Sequence, residues 1–168
     1  MSRLVNFVAI LTLVIGLCVV GGWRYRQYQT QSRAESLRAE LIRLKREVDR
    51  RAAMLETDKN DAGWPKTVDP MWFDGHPPRN HWVHGERAWL ELATGDQVHL
   101  RDPIVRAVDE KVGSELGEFW YNPSNGEVRA RVPLGASDRE TLALYNKVNA
   151  TNLESLFESA TWRSAGAR

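Results

Sequence analysis

The sequence predicts an α+β protein in which a long N-terminal transmembrane-plus-stalk helix precedes a small antiparallel β-sheet domain with short helices. An uncharged apolar run opens the chain, a stretch without proline or glycine follows it, and strand-like alternation with turn residues fills much of the remainder. These observations divide the chain into a short tail at 1–3, a transmembrane helix at 4–23, an amphipathic stalk helix at 24–56, a linker at 57–70 and an α+β domain at 71–168.

The apolar run from Leu4 to Trp23 contains no charged residue and is long enough to cross a hydrocarbon core of about 30 Å. We therefore expect an uncleaved single-pass anchor in the inner (cytoplasmic) membrane, with membrane lipid as the partner of residues 4–23. Signal cleavage after Gly22 is the alternative. Basic residues are more frequent after the run than before it, and the positive-inside rule would therefore keep the C-terminal domain in the cytoplasm.

The stalk carries an apolar seam at heptad-like spacing. Its candidate partner-binding residues are Leu37, Leu41, Leu44 and Val48. Two interpretations fit such a seam: a short coiled coil with another chain, or a helix whose apolar stripe packs on its own downstream domain. The turn-rich segment from Thr57 to Pro70 is expected to end the helix.

The downstream domain contains two predicted β-hairpins. Trp89 to Ala93 and Gln97 to Arg101 flank a Thr-Gly-Asp turn, and the segment EFWYNPSNGEVRARVP, residues 118–133, alternates around a Pro-Ser-Asn-Gly turn. One face of the second hairpin is apolar, and the other carries Trp120 beside Arg129 and Arg131. Because exposed tryptophan and arginine concentrate binding energy, these three residues are candidate partner contacts. The alternatives are that the tryptophans build a compact core and that the two arginines stack on the indole through cation–π contacts.

Two helices are expected near the C-terminus. Ser137 and Glu140 form a capping box that opens the first, in which Leu142, Tyr145 and Val148 share a side. A second short helix is predicted from Asn152 to about Ala160. The segment from 102 to 116 has no clear pattern.

The loop at 71–87, MWFDGHPPRNHWVHGER, concentrates histidines and tryptophans. Histidine and carboxylate side chains bind zinc, but the spacing of His76, His81 and His84 matches no helix face and no standard zinc motif. We therefore predict no metal and no cofactor. Polar loop histidines packed beside tryptophans explain the composition, and a glycan-binding or metal-dependent module is the third-ranked alternative.

Charge and cysteine content exclude several classes of function. Residues 59–168 carry 13 basic against 16 acidic side chains, which is not the footprint of a nucleic-acid-binding domain. The single cysteine, Cys18, permits neither an intrachain disulfide nor thiol catalysis in the downstream domain. No catalytic motif is recognisable, so we predict that the chain is not an enzyme.

The layout resembles that of the pseudopilins, the type IV pilin-like proteins of type II secretion. The resemblance lies in the apolar helix continuing into an amphipathic half, the GWP turn at Gly63 to Pro65, the WFDGHPPRN loop and the hairpin FWYNPSNGEVRARVP. The glycine and glutamate of the prepilin peptidase motif are absent from MSRLVNF, so this would be a divergent member.

The resemblance implies a helix laid across an antiparallel sheet and a role without catalysis. The expected function is that of a membrane-anchored structural subunit of a cell-envelope or secretion assembly. Its domain would lie outside the cytoplasm, and its partners would be other envelope or secretion proteins, including copies of itself. A single-pass coiled-coil scaffold of envelope or division machinery is the alternative.

Overall fold

A computed structural model of the chain describes residues 2–83, 87–109 and 116–157, and the side chains at 2–14, 19 and 23 lie outside the described part. The chain divides into two compact units, Met1–Ala34 and Glu35–Arg168. In chain order the elements are helix α1 (Ser2–Ala53), a 3-10 helix (Pro70–Phe73), β1 (Leu90–Leu92), a 3-10 helix (Gly95–His99), β2 (Ala107–Val108), β3 (Phe119–Asn122), β4 (Glu127–Ala130), β5 (Val132–Pro133) and helix α2 (Asp138–Asn149).

The prediction of a transmembrane helix is contradicted by the structure. Within the part of the chain that the structure describes, no helix is long and apolar enough to cross a membrane. From Ile15 onward the apolar stretch is soon interrupted by Arg24 and Arg26, which lower the mean hydropathy of the helix. The side chains at 4–14, the first part of the predicted span, lie outside the described residues. This finding overturns the predictions of a single-pass anchor and of an inner-membrane location. Membrane lipid as a partner of residues 4–23 stays a prediction.

The apolar seam of α1 is buried. Leu37, Leu41, Leu44 and Val48 are each 7% exposed or less, and all four belong to the second unit. The spacing of 4, 3 and 4 residues brings them onto one face of a helix. Because a single chain buries this face, the structure supports the interpretation in which the stripe packs on its own domain.

The sheet is mixed, which corrects the predicted antiparallel sheet. In the order β1-β3-β4, β1 pairs with β3 in parallel, with Leu90 opposite Phe119, and β3 pairs with β4 antiparallel. A parallel pair cannot be joined by a tight turn, and the chain between β1 and β3 supplies the long connection that it needs. A second, two-stranded parallel sheet joins β2 and β5.

The first predicted hairpin is wrong and the second is confirmed. Gly95–His99 forms a 3-10 helix, so the segment around Trp89 to Ala93 finds its partner in β3 instead of in residues 97–101. In the second hairpin, Gly126 has a φ of 71° and its N–H donates to the carbonyl of Asn122 at 2.8 Å. A Cβ at Gly126 would lie 2.4 Å from the Trp64 ring, so both the backbone conformation and the close approach require glycine.

The first predicted C-terminal helix is confirmed as α2. The Ser137 hydroxyl accepts a hydrogen bond from the Glu140 N–H, as a capping box requires. The Asn149 side chain connects α2 to β4 by accepting from the N–H of Ala130 at 2.7 Å and donating to its carbonyl at 3.0 Å. The second predicted helix is wrong for residues 152–157, which form no helix, and its remainder lies outside the described residues.

Candidate functional site

The predicted binding face of the hairpin is buried. Trp120 is 0% exposed, and its indole N–H donates to the side-chain oxygen of Gln97 at 3.1 Å. Ala93 and Leu100 complete an apolar cluster around it. The segment that was expected to form a separate hairpin therefore covers this face, and Trp120 contacts its own chain.

Arg129 lies opposite Trp120 in the hairpin register and belongs to a buried ion-pair network. Its guanidinium lies 2.8 Å from Asp102 and 2.7 Å from Glu127, and the Tyr145 hydroxyl donates to Asp102 at 2.9 Å. Burial by itself lowers the pKa of Arg129, but the two carboxylates outweigh it and the pKa is raised. The network holds β4, α2 and the segment before β2 together.

Arg131 has a similar structural environment, although its pKa moves the other way. The side chain is 1% exposed, pairs with Glu91 at 2.9 Å and donates to the carbonyls of Val105 and Gly117. Burial lowers the pKa of Arg131, and the attraction of Glu91 only partly opposes this effect. The candidate contacts Trp120, Arg129 and Arg131 therefore bind their own chain, and a neighbour would meet other residues.

A groove runs between α1 and the 3-10 helix at Pro70–Phe73, and we call it the arginine groove. Its volume is about 480 Å³, and it is lined by Ala39, Ile42, Arg43, Arg46, Glu47, Arg50, Trp72, Phe73 and Asp74. All of these residues belong to the second unit. On α1 the three arginines follow each other at intervals of three and four residues, so they lie along one side of the helix.

The loop side of the groove is held by local capping and by cation–π contacts. The Asp69 side chain accepts a hydrogen bond from the N–H of Met71, and Asp74 ends the short helix with a φ of 53°. Phe73 is buried edge-on against Trp89, with ring centroids 5.9 Å apart. These contacts leave Trp72 half-buried at the rim of the groove.

Arginines of α1 stack on these loop aromatics. The Arg43 guanidinium lies 5.5 Å from the Phe73 ring centroid and also donates to the carbonyl of His76. Arg51 lies 4.8 Å from the Trp72 ring centroid. Such cation–π contacts stabilise the packing of the loop against the helix. Arg51 therefore has a defined packing role against Trp72.

The charged side chains of the groove differ in whether they have ion-pair partners. Glu47 accepts hydrogen bonds from Arg50 at 2.8 and 2.6 Å and from Arg51 at 2.8 Å. The Arg50 hydrogen bond is the main reason that the pKa of Glu47 lies below its ordinary value, and partial burial opposes the shift. Arg46 is exposed and forms no ion pair with any residue that the structure describes. The groove therefore keeps a positive charge available.

His76 and His81 lie in an adjoining cleft of about 600 Å³ that also includes Arg79 and Trp89. The His76 Nδ1 lies 3.0 Å from the carbonyl oxygen of Asp74. Over residues 2–83, 87–109 and 116–157, no group of three or more histidine, cysteine or acidic side chains is placed to hold a metal ion. His84 belongs to the predicted loop cluster but lies outside the described residues.

Comparison with protein-family models, with curated proteins and with solved structures gave no match. The arginine groove was not predicted from the sequence. The spacing of Arg43, Arg46 and Arg50 on a helix was a visible signal, but nothing local indicated that Trp72 would lie beside them. With guanidinium groups, a half-buried indole and the partly exposed Ile42, the groove is suited to recognising an acidic segment that carries an apolar side chain.

Proposed function

We propose that this chain is a structural subunit of a pseudopilin-like assembly of the cell envelope or a secretion system. It acts through protein–protein contacts and has no catalytic step of its own. The observation that supports this proposal is an uncovered apolar stripe on the helix of the first unit. That stripe packs against the equivalent helices of neighbouring copies.

The stripe consists of Leu17, Val20, Tyr25 and Tyr28, which are 65%, 56%, 63% and 73% exposed. Leu17 and Tyr28 are eleven residues apart, which is close to three full turns, and the other two lie beside the line between them. A single helix has no core in which to bury such a stripe. Contiguous exposed apolar surface marks a binding site, and tyrosine is enriched where proteins meet.

A second copy is the occupant that the proposed assembly requires. Parallel helices of neighbouring copies present the same residues to one another, so the apolar stripe of each covers that of the next. The seam residues Leu37, Leu41, Leu44 and Val48 are already buried in their own unit, which argues against the scaffold alternative that needs them for another chain.

Sedimentation velocity of the full-length chain over a range of concentrations tests the proposal. We expect the unmodified chain to sediment as oligomers and the Leu17→Glu/Tyr28→Glu variant to sediment as smaller species, because the buried stripe would then carry unpaired charges. Thr30→Glu is the matched control, since Thr30 is exposed on the side of the same helix away from the stripe and should leave assembly unchanged.

Circular dichroism checks that all three chains keep the same helix content. A chain that is monomeric at every concentration would overturn the proposal, as would stripe variants that assemble like the parent. Association with phospholipid vesicles in place of self-association would also count against it.

A further inference from the structure

We infer that the arginine groove of one copy receives the segment Glu154–Phe157 of the next copy, forming a head-to-tail contact. This inference rests on the proposed assembly function and supplies a second contact for it. The two surfaces lie at different places on the second unit, so each copy offers one groove and one segment.

The segment presents an exposed aromatic side chain on a hydrogen-bonded backbone. Phe157 is 79% exposed, whereas its neighbour Leu156 is buried. The Arg106 guanidinium donates to the carbonyls of Ser155, at 3.1 Å, and of Leu156, and the Ser155 hydroxyl accepts from the N–H of Phe157 at 3.2 Å. Ordering a binding segment before contact lowers the entropic cost of association.

The charges of the two surfaces are complementary. Glu154 is exposed and forms no ion pair with the residues that the structure describes. Arg46 in the groove is also exposed and forms no ion pair with these residues. Arg43 and Arg50 pair with acidic residues on their own helix, so Arg46 is the groove arginine that is available to a partner. The carboxylate of Glu154 therefore finds a guanidinium donor at Arg46.

The apolar parts of the two surfaces also match. The groove offers the side chain of Ile42, which is 42% exposed, together with Ala39 and the half-buried Trp72. Phe157 seated there would cover apolar area on both copies and stack against an aromatic ring. An aromatic anchor surrounded by charged groups is the usual composition of a strong protein–protein contact.

A contact between two different surfaces repeats from copy to copy. It closes into a ring if the rotation between copies allows closure and otherwise extends into a filament. Phe157 does not line the groove of its own chain and lies instead beside Leu142 and Arg139. The contact therefore requires a second copy.

Charge exchange in the full-length chain tests the contact by sedimentation. Arg46→Glu and Glu154→Arg should each weaken association by about tenfold or more, because each places like charges opposite one another. The Arg46→Glu/Glu154→Arg double variant should restore association. Arg38→Glu makes the same charge change at an exposed position of the same helix outside the groove, and it should behave like the parent.

A proximity measurement separates this contact from the helix contact. In a Cys18→Ser background, a mixture of Ala39→Cys and Asn152→Cys chains should form a disulfide-linked heterodimer, whereas replacing Asn152→Cys by Asp61→Cys should give none. Both Asn152 and Asp61 are exposed, but only Asn152 adjoins the proposed segment.

The outcomes distinguish the two proposals. If the stripe variant fails to assemble while the charge-exchange variants assemble like the parent, the helix contact stands and the head-to-tail contact is overturned. If the crosslink forms and the stripe variant assembles like the parent, the head-to-tail contact stands and the helix contact fails. Single variants that the double variant does not rescue would also overturn the head-to-tail contact, and a parent chain that never associates overturns both.

Discussion

Replacing Leu44 by alanine should destabilise the folded unit strongly. Leu44 is 0% exposed and lies in the buried seam of α1. Shortening its isobutyl side chain to a methyl group loses about 2 kcal/mol of transfer free energy and leaves a cavity, and buried leucine-to-alanine changes of this kind cost roughly 2–5 kcal/mol in total. Leu55→Ala is the matched control, because Leu55 is 97% exposed and its loss should change the free energy of unfolding by less than about 0.5 kcal/mol.

Urea unfolding followed by tryptophan fluorescence measures both variants. With a denaturant slope of about 1.5 kcal/mol per molar, a loss of 3 kcal/mol lowers the unfolding midpoint by about 2 M. The measurement should be repeated at several protein concentrations. A seam that packs within one chain gives a Leu44 effect that does not depend on concentration, since the contact forms and breaks within one molecule.

Two results would refute this reasoning. A Leu44→Ala midpoint equal to that of Leu55→Ala would show that the seam contributes little to the fold. A midpoint that rises with protein concentration in the parent and loses this dependence in Leu44→Ala would instead place the seam between chains, as a coiled coil requires.

Three further predictions concern the hairpin and its surroundings. Gly126→Ala should cost at least about 1–3 kcal/mol of stability, because it strains a positive φ and meets the ring of Trp64; an unchanged melting temperature would contradict this. Arg129→Ala should cost roughly 3–5 kcal/mol by leaving the buried carboxylate of Asp102 uncompensated. Any loss of assembly measured by sedimentation should therefore be accompanied by a loss of folded structure measured by circular dichroism. Burial, followed by the charge of Asp102, raises the pKa of the Tyr145 phenol, so the folded state keeps this proton above the unfolded pKa near 10. The contribution of this pKa shift to the free energy of unfolding is fully present below about pH 10 and falls as the pH rises further. Urea midpoints across this range should therefore fall less steeply for Tyr145→Phe than for the parent.

Elements that depend on neighbouring residues were predictable. The turn of the second hairpin follows from Asn122 to Gly126, where a glycine with positive φ closes the turn, and the start of α2 follows from the capping pair Ser137 and Glu140. In each case the residues that decide the structure lie within one or two turns of one another.

Pairings between distant segments were not predictable. The alternation from Trp89 to Ala93 indicates a strand, but it is equally consistent with a hairpin partner at 97–101 and with a parallel partner at β3. The choice depends on which partner buries more apolar surface, and the register of Leu90 with Phe119 places β1 beside the fully buried strand β3.

The sequence by itself determined the α+β class, the second hairpin, the α2 cap and the amphipathic stripe of α1, because each is encoded by local periodicity or turn chemistry. Only the tertiary structure decided that Trp120, Arg129 and Arg131 face inward and that Arg46 and Trp72 share a groove. The physical reason is that an alternating strand has two faces, and a polar face is exposed or buried depending on whether other segments of the chain pack against it. Here Gln97, Asp102 and Glu91 supply the hydrogen-bond and charge partners that make its burial favourable.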